Sequence, residues 1–230
     1  MIKSLNDTVR FNLRKGKAFF NLFRFQMRKR TIEEIVDKAL EFGARKEFEV
    51  KTMQVRDEIL ALARTVAAIR PRIVLEIGTA FGGTLFIWSQ LASELVVSCD
   101  ITDKSMQRSF YHTFPPFGSR CEVDLLTGDT HDTAFRKRVA ARLNGKKADF
   151  LFIDGDHTEA GVTADYQEYR DLVRPGGIIA FHDIVEKQTL PQNQVFHLWK
   201  KLRDQPGMEE FIKDPEQSGF GIGIIRIPEQ

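Results

Sequence analysis

Five carboxylates recur at one kind of place in this 230-residue chain. Glu76, Asp100, Asp129, Asp154 and Asp183 each stand at or just past the carboxyl end of a short apolar run. One acid there means little, because Asp also caps the helix that follows. Five on one face repel one another, which costs free energy unless a ligand or cation compensates. Two histidines stand among them, His157 in Ile153-Asp-Gly-Asp-His157 and His182 in Phe181-His-Asp183. Imidazole beside carboxylate is suited to moving a proton near neutral pH.

The stretch that begins this series is Ile73-Val-Leu-Glu-Ile-Gly-Thr-Ala-Phe-Gly-Gly83. It reads as a buried strand, a glycine turn and a helix running to Leu91. That unit lets a backbone approach a nucleotide-like ligand closely. The glycines fall at 78, 82 and 83, and position 80 is Ala, so the G-x-G-x-x-G spacing of pyrophosphate binders is missing. A carboxylate at Glu76 would repel phosphates and suits a cationic ligand end, such as an ammonium or a sulfonium. Asp100 comes 24 residues after Glu76 and can accept both hydroxyls of a ribose. Asp129 can accept from an exocyclic amine. Together these residues describe a ligand with an adenosine end and a cationic amino-acid end.

The elements that must carry them alternate. Apolar runs predict strands over 73–77, 95–99, 121–126, 148–153 and 178–181, with helices over 105–112, 131–143 and 159–173 between them. Arg174-Pro-Gly-Gly177 reads as the close of the last of these helices. A helix at 194–202 and strands near 211–212 and over 220–227 follow. Continuous apolar strands alternating with helices argue for a parallel sheet covered on both faces. Upstream, Thr31-Ile-Glu-Glu34 is a capping box opening a helix that Gly43 should stop, and 53–69 is a second amphipathic helix closed by Pro71.

Composition narrows the class. The length suits one α/β domain with an appendage. Cys99 and Cys121 are far apart and read as buried thiols of a reducing, cytoplasmic compartment. No apolar run is long enough to span a bilayer, and no signal-peptide pattern is visible. Residues 1–30 hold nine Lys/Arg and one acid, about +8, so the remaining 200 carry about −6. A nucleic-acid groove across the domain is therefore not expected. The basic arm interleaves Phe11, Phe19, Phe20, Phe23 and Phe25, with Gly16 read as a break between two helical segments. It can pack on its own domain, contact a second subunit, or lie on an anionic membrane; a mitochondrial-type presequence has the same composition.

Leu75-Glu-Ile-Gly-Thr-Ala-Phe-Gly-Gly83, Asp100, Gly128-Asp129, Phe152-Ile-Asp-Gly-Asp-His157, Arg174-Pro-Gly-Gly177 and Phe181-His-Asp183 resemble, in order and spacing, the class I S-adenosylmethionine-dependent methyltransferases. The likeness is to the branch of cephalosporin-hydroxylase-like proteins and small-molecule O-methyltransferases, and it covers about residues 50–227. It implies a doubly wound, mostly parallel, seven-stranded Rossmann-like sheet with the last strand antiparallel. That domain would occupy 51–230, behind a helical extension over 1–50. It implies S-adenosylmethionine bound by Glu76, Gly78, Thr79, Gly82, Asp100, Asp129 and Asp154, and methyl transfer to a small-molecule acceptor, at a hydroxyl oxygen. Asp154, His157 and His182 are the catalytic candidates, with His157 as base; the alternative for His157 is an N-cap or a partner of Asp156. Some relatives hold a divalent cation at positions matching Asp154, His182 and Asp183, although a histidine departs from the all-oxygen set that Mg²⁺ prefers. Phe86 and Trp88 read as core, Trp199 as packed on the sheet, and His112, His131 and His197 as surface residues. The loops at 115–116 and 184–193 are candidates for setting specificity. Two other functions fit parts of the pattern: a nicotinamide-dependent oxidoreductase, and a cofactor-binding partner protein without transfer activity.

Overall fold

The computed structural model describes residues 5–45 and 50–229, except for the side chains of 5–15, 43–45 and 106. Strands β1 (Ile73–Ile77), β2 (Leu95–Asp100), β3 (Glu122–Thr127), β4 (Ala148–Ile153), β5 (Val173–His182), β6 (Met208–Phe211) and β7 (Ile222–Arg226) form one sheet. Its order is β3-β2-β1-β4-β5-β7-β6. The strands from β3 to β5 pair in parallel, and β7 enters antiparallel between β5 and β6. This is the expected doubly wound, seven-stranded arrangement with one reversed strand.

Period-two alternation sends successive side chains of each strand to opposite faces. Val74, Val96, Phe150, Phe152 and Ile178 join a core with α1 (Leu5–Gln26), α2 (Ile32–Arg45), α3 (Arg56–Ala68), α4 (Gly83–Leu91) and α5 (Ser105–Tyr111). Leu75, Ile77, Val97, Leu151 and Ile179 join a second core with α6 (Thr133–Arg142), α7 (Glu159–Tyr169) and α8 (Val195–Leu202). Trp88 of α4 is fully buried against Phe150 and Phe152, with ring centroids 4.8 and 5.4 Å away. Trp199 of α8 packs on Phe181 and donates its indole N–H to Glu210 at 2.6 Å.

The N-terminal helices pack on this same domain. Ala18, Leu22, Ile35, Val36, Ala39 and Phe42 are buried in the first core. The capping box closes as read: Glu34 N–H donates to Thr31 Oγ1 at 3.2 Å, and Thr31 N–H to the Glu34 carboxylate at 3.0 Å. Three expectations need correction. Helix α1 runs straight through Gly16, where a side chain would meet nothing within 4 Å; packing of the next turns outweighs the glycine's cost of about 1 kcal/mol. Helix α2 likewise continues past Gly43 to Arg45. Arg174-Pro-Gly-Gly177 opens β5 instead of closing α7, because Gly176 N–H donates to Ile227 O and Ile227 N–H donates back to Gly177 O. The side chain of Phe11 lies outside the described set.

From β1 the chain steps to β2 and β3 on one side, then returns to place β4 on the other. The crevice for a ligand opens where the order reverses, beyond the carboxyl ends of β1 and β4.

Candidate active site

The glycine turn after β1 is fixed from both sides. Gly78 N–H donates to Cys99 O at 2.9 Å, and Asp154 N–H donates to Ile77 O at 2.8 Å. Gly78 has φ +97°, and a Cβ on it would lie 2.0 Å from the Asp154 carbonyl oxygen. Only glycine lets these two turns close up. Beyond them lies a cavity of about 390 Å³, lined by Gly78, Ala80, Asp100, Asp129, Thr130, His131, Asp154 and their neighbours.

Asp100, at the end of β2, accepts from Ala80 N–H and Thr102 N–H, both at 2.7 Å, and pairs with Lys104 at 3.3 Å. Oδ1 keeps a further lone pair for a hydroxyl, while Oδ2 already meets both Ala80 N–H and the Lys104 ammonium. The Asp129 side chain is more than half exposed and, among the described residues, accepts from His131 N–H alone. His131 is exposed, as its surface reading expects, and it also lines the cavity, with Nε2 3.2 Å from the buried Asp165. Burial raises the Asp165 carboxyl above its ordinary range, against the pull of Thr130 and His131.

Three predicted cofactor residues take other positions. Glu76 faces the α3–α4 side of β1 and is fully buried. Its Oε2 accepts from Ser98 Oγ at 2.5 Å, and that hydroxyl meets Thr79 Oγ1 at 2.6 Å. Glu76 and Thr79 thus belong to a buried chain of oxygens behind the glycine turn. Gly82 begins α4 under the ring of Tyr111. None of the three is among the residues lining the cavity.

Burial pushes the Glu76 carboxyl up to about 7, although Ser98 and Thr84 oppose the shift. A carboxyl raised from 4.5 to about 7 favours folding below 4.5, and that contribution is lost as pH rises through 7. The loss amounts to roughly 3 kcal/mol. Glu76→Gln cannot ionise, so its stability relative to the parent should climb by that order between pH 5 and pH 8 in thermal melts without ligand. A difference independent of pH would contradict the buried acid.

At the β4 and β5 ends, four predicted residues converge. Asp154 Oδ1 lies 3.2 Å from both His157 Nε2 and His182 Nδ1. Asp183 Oδ2 lies 3.3 Å from His157 Nδ1, and its Oδ1 lies 3.4 Å from His182 Nδ1. Burial alone would raise the Asp154 carboxyl, but the two histidines outweigh it and hold it well below the usual range. Burial alone would lower His182; Asp154 and Asp183 outweigh it and raise it. The bond to Asp154 raises His157 as well. His157 therefore sits between two carboxylates, both of which favour its protonated form.

Two partners here had no local signal in the sequence. Gln54 reaches Asp154 Oδ2 at 3.2 Å from a segment laid over the glycine turn, where Lys51 N–H donates to Phe81 O. Asn193 donates to Asp183 Oδ2 at 2.6 Å, which brings the 184–193 loop to the site. The 115–116 loop does not reach it, because it precedes β3 and lies at the amino ends of the strands. His112 and His197 are exposed.

Atoms of Asp154, His182 and Asp183 lie within 4.8 Å of one another, and Gln54 Oε1 and His182 Nε2 are buried without a partner among the described residues. Two carboxylates, an imidazole and an orphaned amide oxygen fit a divalent cation, and the mixed nitrogen–oxygen set suits borderline metals better than Mg²⁺.

Residues 75–184 match the family model described as a methyltransferase domain. The chain aligns at TM-score 0.58 and 18% identity with an O-methyltransferase from Bacillus cereus in complex with S-adenosylhomocysteine, covering 87% of this chain and 92% of that one. It aligns at TM-score 0.60 and 20% identity with the MycE methyltransferase of the mycinamycin pathway, bound to Mg, S-adenosylhomocysteine and mycinamycin VI, covering 88% and 54%. TomG of Streptomyces achromogenes, an O-methyltransferase in complex with S-adenosylmethionine, aligns at TM-score 0.57 and 15% identity, covering 87% and 92%. An uncharacterized protein of Sinorhizobium fredii is 25% identical over 166 residues, which is 68% of this chain and 17% of that protein. The chain thus spans about a sixth of that curated relative. These comparisons lend no support to the nicotinamide-dependent reading. Residues 75–184, just under half of the chain, are thus similar to methyltransferase domains, and the sheet has the fold of these solved methyltransferases.

Proposed function

We propose that the chain is an S-adenosylmethionine-dependent methyltransferase acting on a hydroxyl oxygen of a small-molecule acceptor. One observation carries this reading: the cavity walled by Gly78, Asp100 and Asp129 ends at Asp154, where two histidines and a second carboxylate meet. In this reading Asp100 accepts from the ribose hydroxyls and Asp129 from the adenine amine. Asp154 faces the cationic methionyl end, and Glu76, whose burial favours its neutral form, braces the glycine turn from behind through Ser98 and Thr79. The cofactor supplies a methyl group on a sulfonium. The chain's part is to hold the acceptor oxygen in line and take its proton. His157 is the base, oriented by Asp154 and Asp183. A divalent cation held by Asp154, His182 and Asp183 would polarise the acceptor hydroxyl. The cofactor domain is assigned to 51–230 and the helical extension to 1–50. Both cysteines are free and buried, which suits the cytoplasm.

Transfer of a labelled methyl group to a panel of hydroxylated small molecules tests the reading. Turnover that depends on His157 is the expected result. Cofactor binding without turnover across the panel would favour a non-catalytic binding protein. Exhaustive chelation should lower turnover at least tenfold if the cation acts, with recovery on adding Mn²⁺ or Mg²⁺. Full activity after chelation would remove the metal from the account.

A further inference from the structure

At the other end of the sheet, two surface features share a border. The first is an apolar groove of about 470 Å³ between the end of α1 and the α5–β3 loop, with Phe20, Phe23, Pro115 and Phe117 in its walls. Phe20, Phe23 and Phe117 are 59%, 46% and 74% exposed, and neighbouring Met27 is 64% exposed. Phe23 and Phe117 meet edge to face at 5.9 Å. The second is a concavity of about 480 Å³ whose charged lining is Arg28, Lys29, Arg30 and Arg70, without an acid. Glu34 pairs with Arg28 and Arg30, while Lys29 and Arg70 have no ion pair among the described residues.

The two features form one preorganised face. Gln26 belongs to both, and its amide donates to the carbonyls of Thr113, Phe114 and Pro115 at 2.8–3.0 Å, locking the helix end to the loop. Pro71 and Ser93 in the concavity wall precede β1 and β2, so the face lies at the amino ends of the strands. The candidate active site is at their carboxyl ends.

We propose that this face docks on an anionic phospholipid bilayer. Exposed aromatic rings next to a cationic rim are the chemistry of the bilayer interface: rings enter the headgroup region while Lys and Arg meet lipid phosphates. Residues 16–32 and 105–121, which build most of the face, contain seven Lys/Arg and no acid. A second copy of the chain is the poorer occupant, since a two-fold contact would bring these like charges together. Docked this way, the active-site cavity opens away from the membrane. The inference does not rest on the proposed reaction.

Sedimentation of the full chain with vesicles tests it. Binding to phosphatidylcholine vesicles carrying about one-third phosphatidylserine should exceed binding to phosphatidylcholine alone by about tenfold or more, and fall with salt. The Phe20→Ser/Phe23→Ser/Phe117→Ser variant should lose about tenfold or more, with an unchanged circular dichroism spectrum. Lys29→Ser/Arg70→Ser should lose about tenfold on anionic vesicles alone. Four results would overturn the proposal. They are no binding by the intact chain, equal binding to neutral and anionic vesicles, an aromatic variant that binds as before, and binding only to single-stranded nucleic acid.

Discussion

Asp154→Ala should lower methyl transfer by about a thousandfold, the size of effect expected when a charged group that orients a base is lost from a site. Its carboxylate holds His157 Nε2 and His182 Nδ1 at once. Without it His182 stays buried and loses its nearest counter-charge, so its pKa should fall, with Asp183 at 3.4 Å left to oppose desolvation. Imidazole proton resonances followed against pH would show that fall. Stability should fall too. The depressed Asp154 contributes above its ordinary 3.8, and the raised His182 contributes below its ordinary 6.5. The pair therefore stabilises most between those values, and the variant's deficit in thermal melts should be widest there. If His182 titrates as before and transfer changes less than tenfold, Asp154 is not the hub of the cluster.

Gly78→Ala should destabilise the fold by several kcal/mol and remove cofactor binding with it. The new Cβ would lie 2.0 Å from a carbonyl oxygen, at a φ of +97°. Neither strand end can give way cheaply, because Gly78 N–H and Asp154 N–H are both hydrogen-bonded across the sheet. Gly145→Ala is the matched control: its φ is +75° but a Cβ there meets nothing within 4 Å. It should cost about 1 kcal/mol and leave binding intact. Equal losses in urea unfolding would mean that backbone strain, not the close approach of the β1 and β4 turns, sets the requirement for glycine.

Much of this was readable because it is local. The strands over 73–77 and 148–153 end where their apolar runs end, and the acids that follow are placed by the parallel topology alone. The reversed last strand came with the family resemblance. What could not be read depended on distant contacts. Glu76 belongs to the motif, but the face it takes is set by the pleat of β1, which turns it behind the cavity. Gln54 meets Asp154 from 100 residues away, because its segment crosses the α4 N-terminus. His131 looked unpartnered until α7 brought Asp165 beneath it. Arg174-Pro-Gly-Gly177 has the composition of a helix stop, yet pairing with the chain's last strand region draws it into β5.

The central claim is that the carboxyl-end cavity takes S-adenosylmethionine, with Asp100 on its ribose. Calorimetric titration of the apo chain with S-adenosylhomocysteine tests it most directly. The account predicts one site per chain at micromolar affinity, weakened about tenfold or more in Asp100→Ala, the loss expected for hydrogen bonds to a charged acceptor. No heat at near-millimolar ligand, or equal affinity in parent and variant, would contradict it.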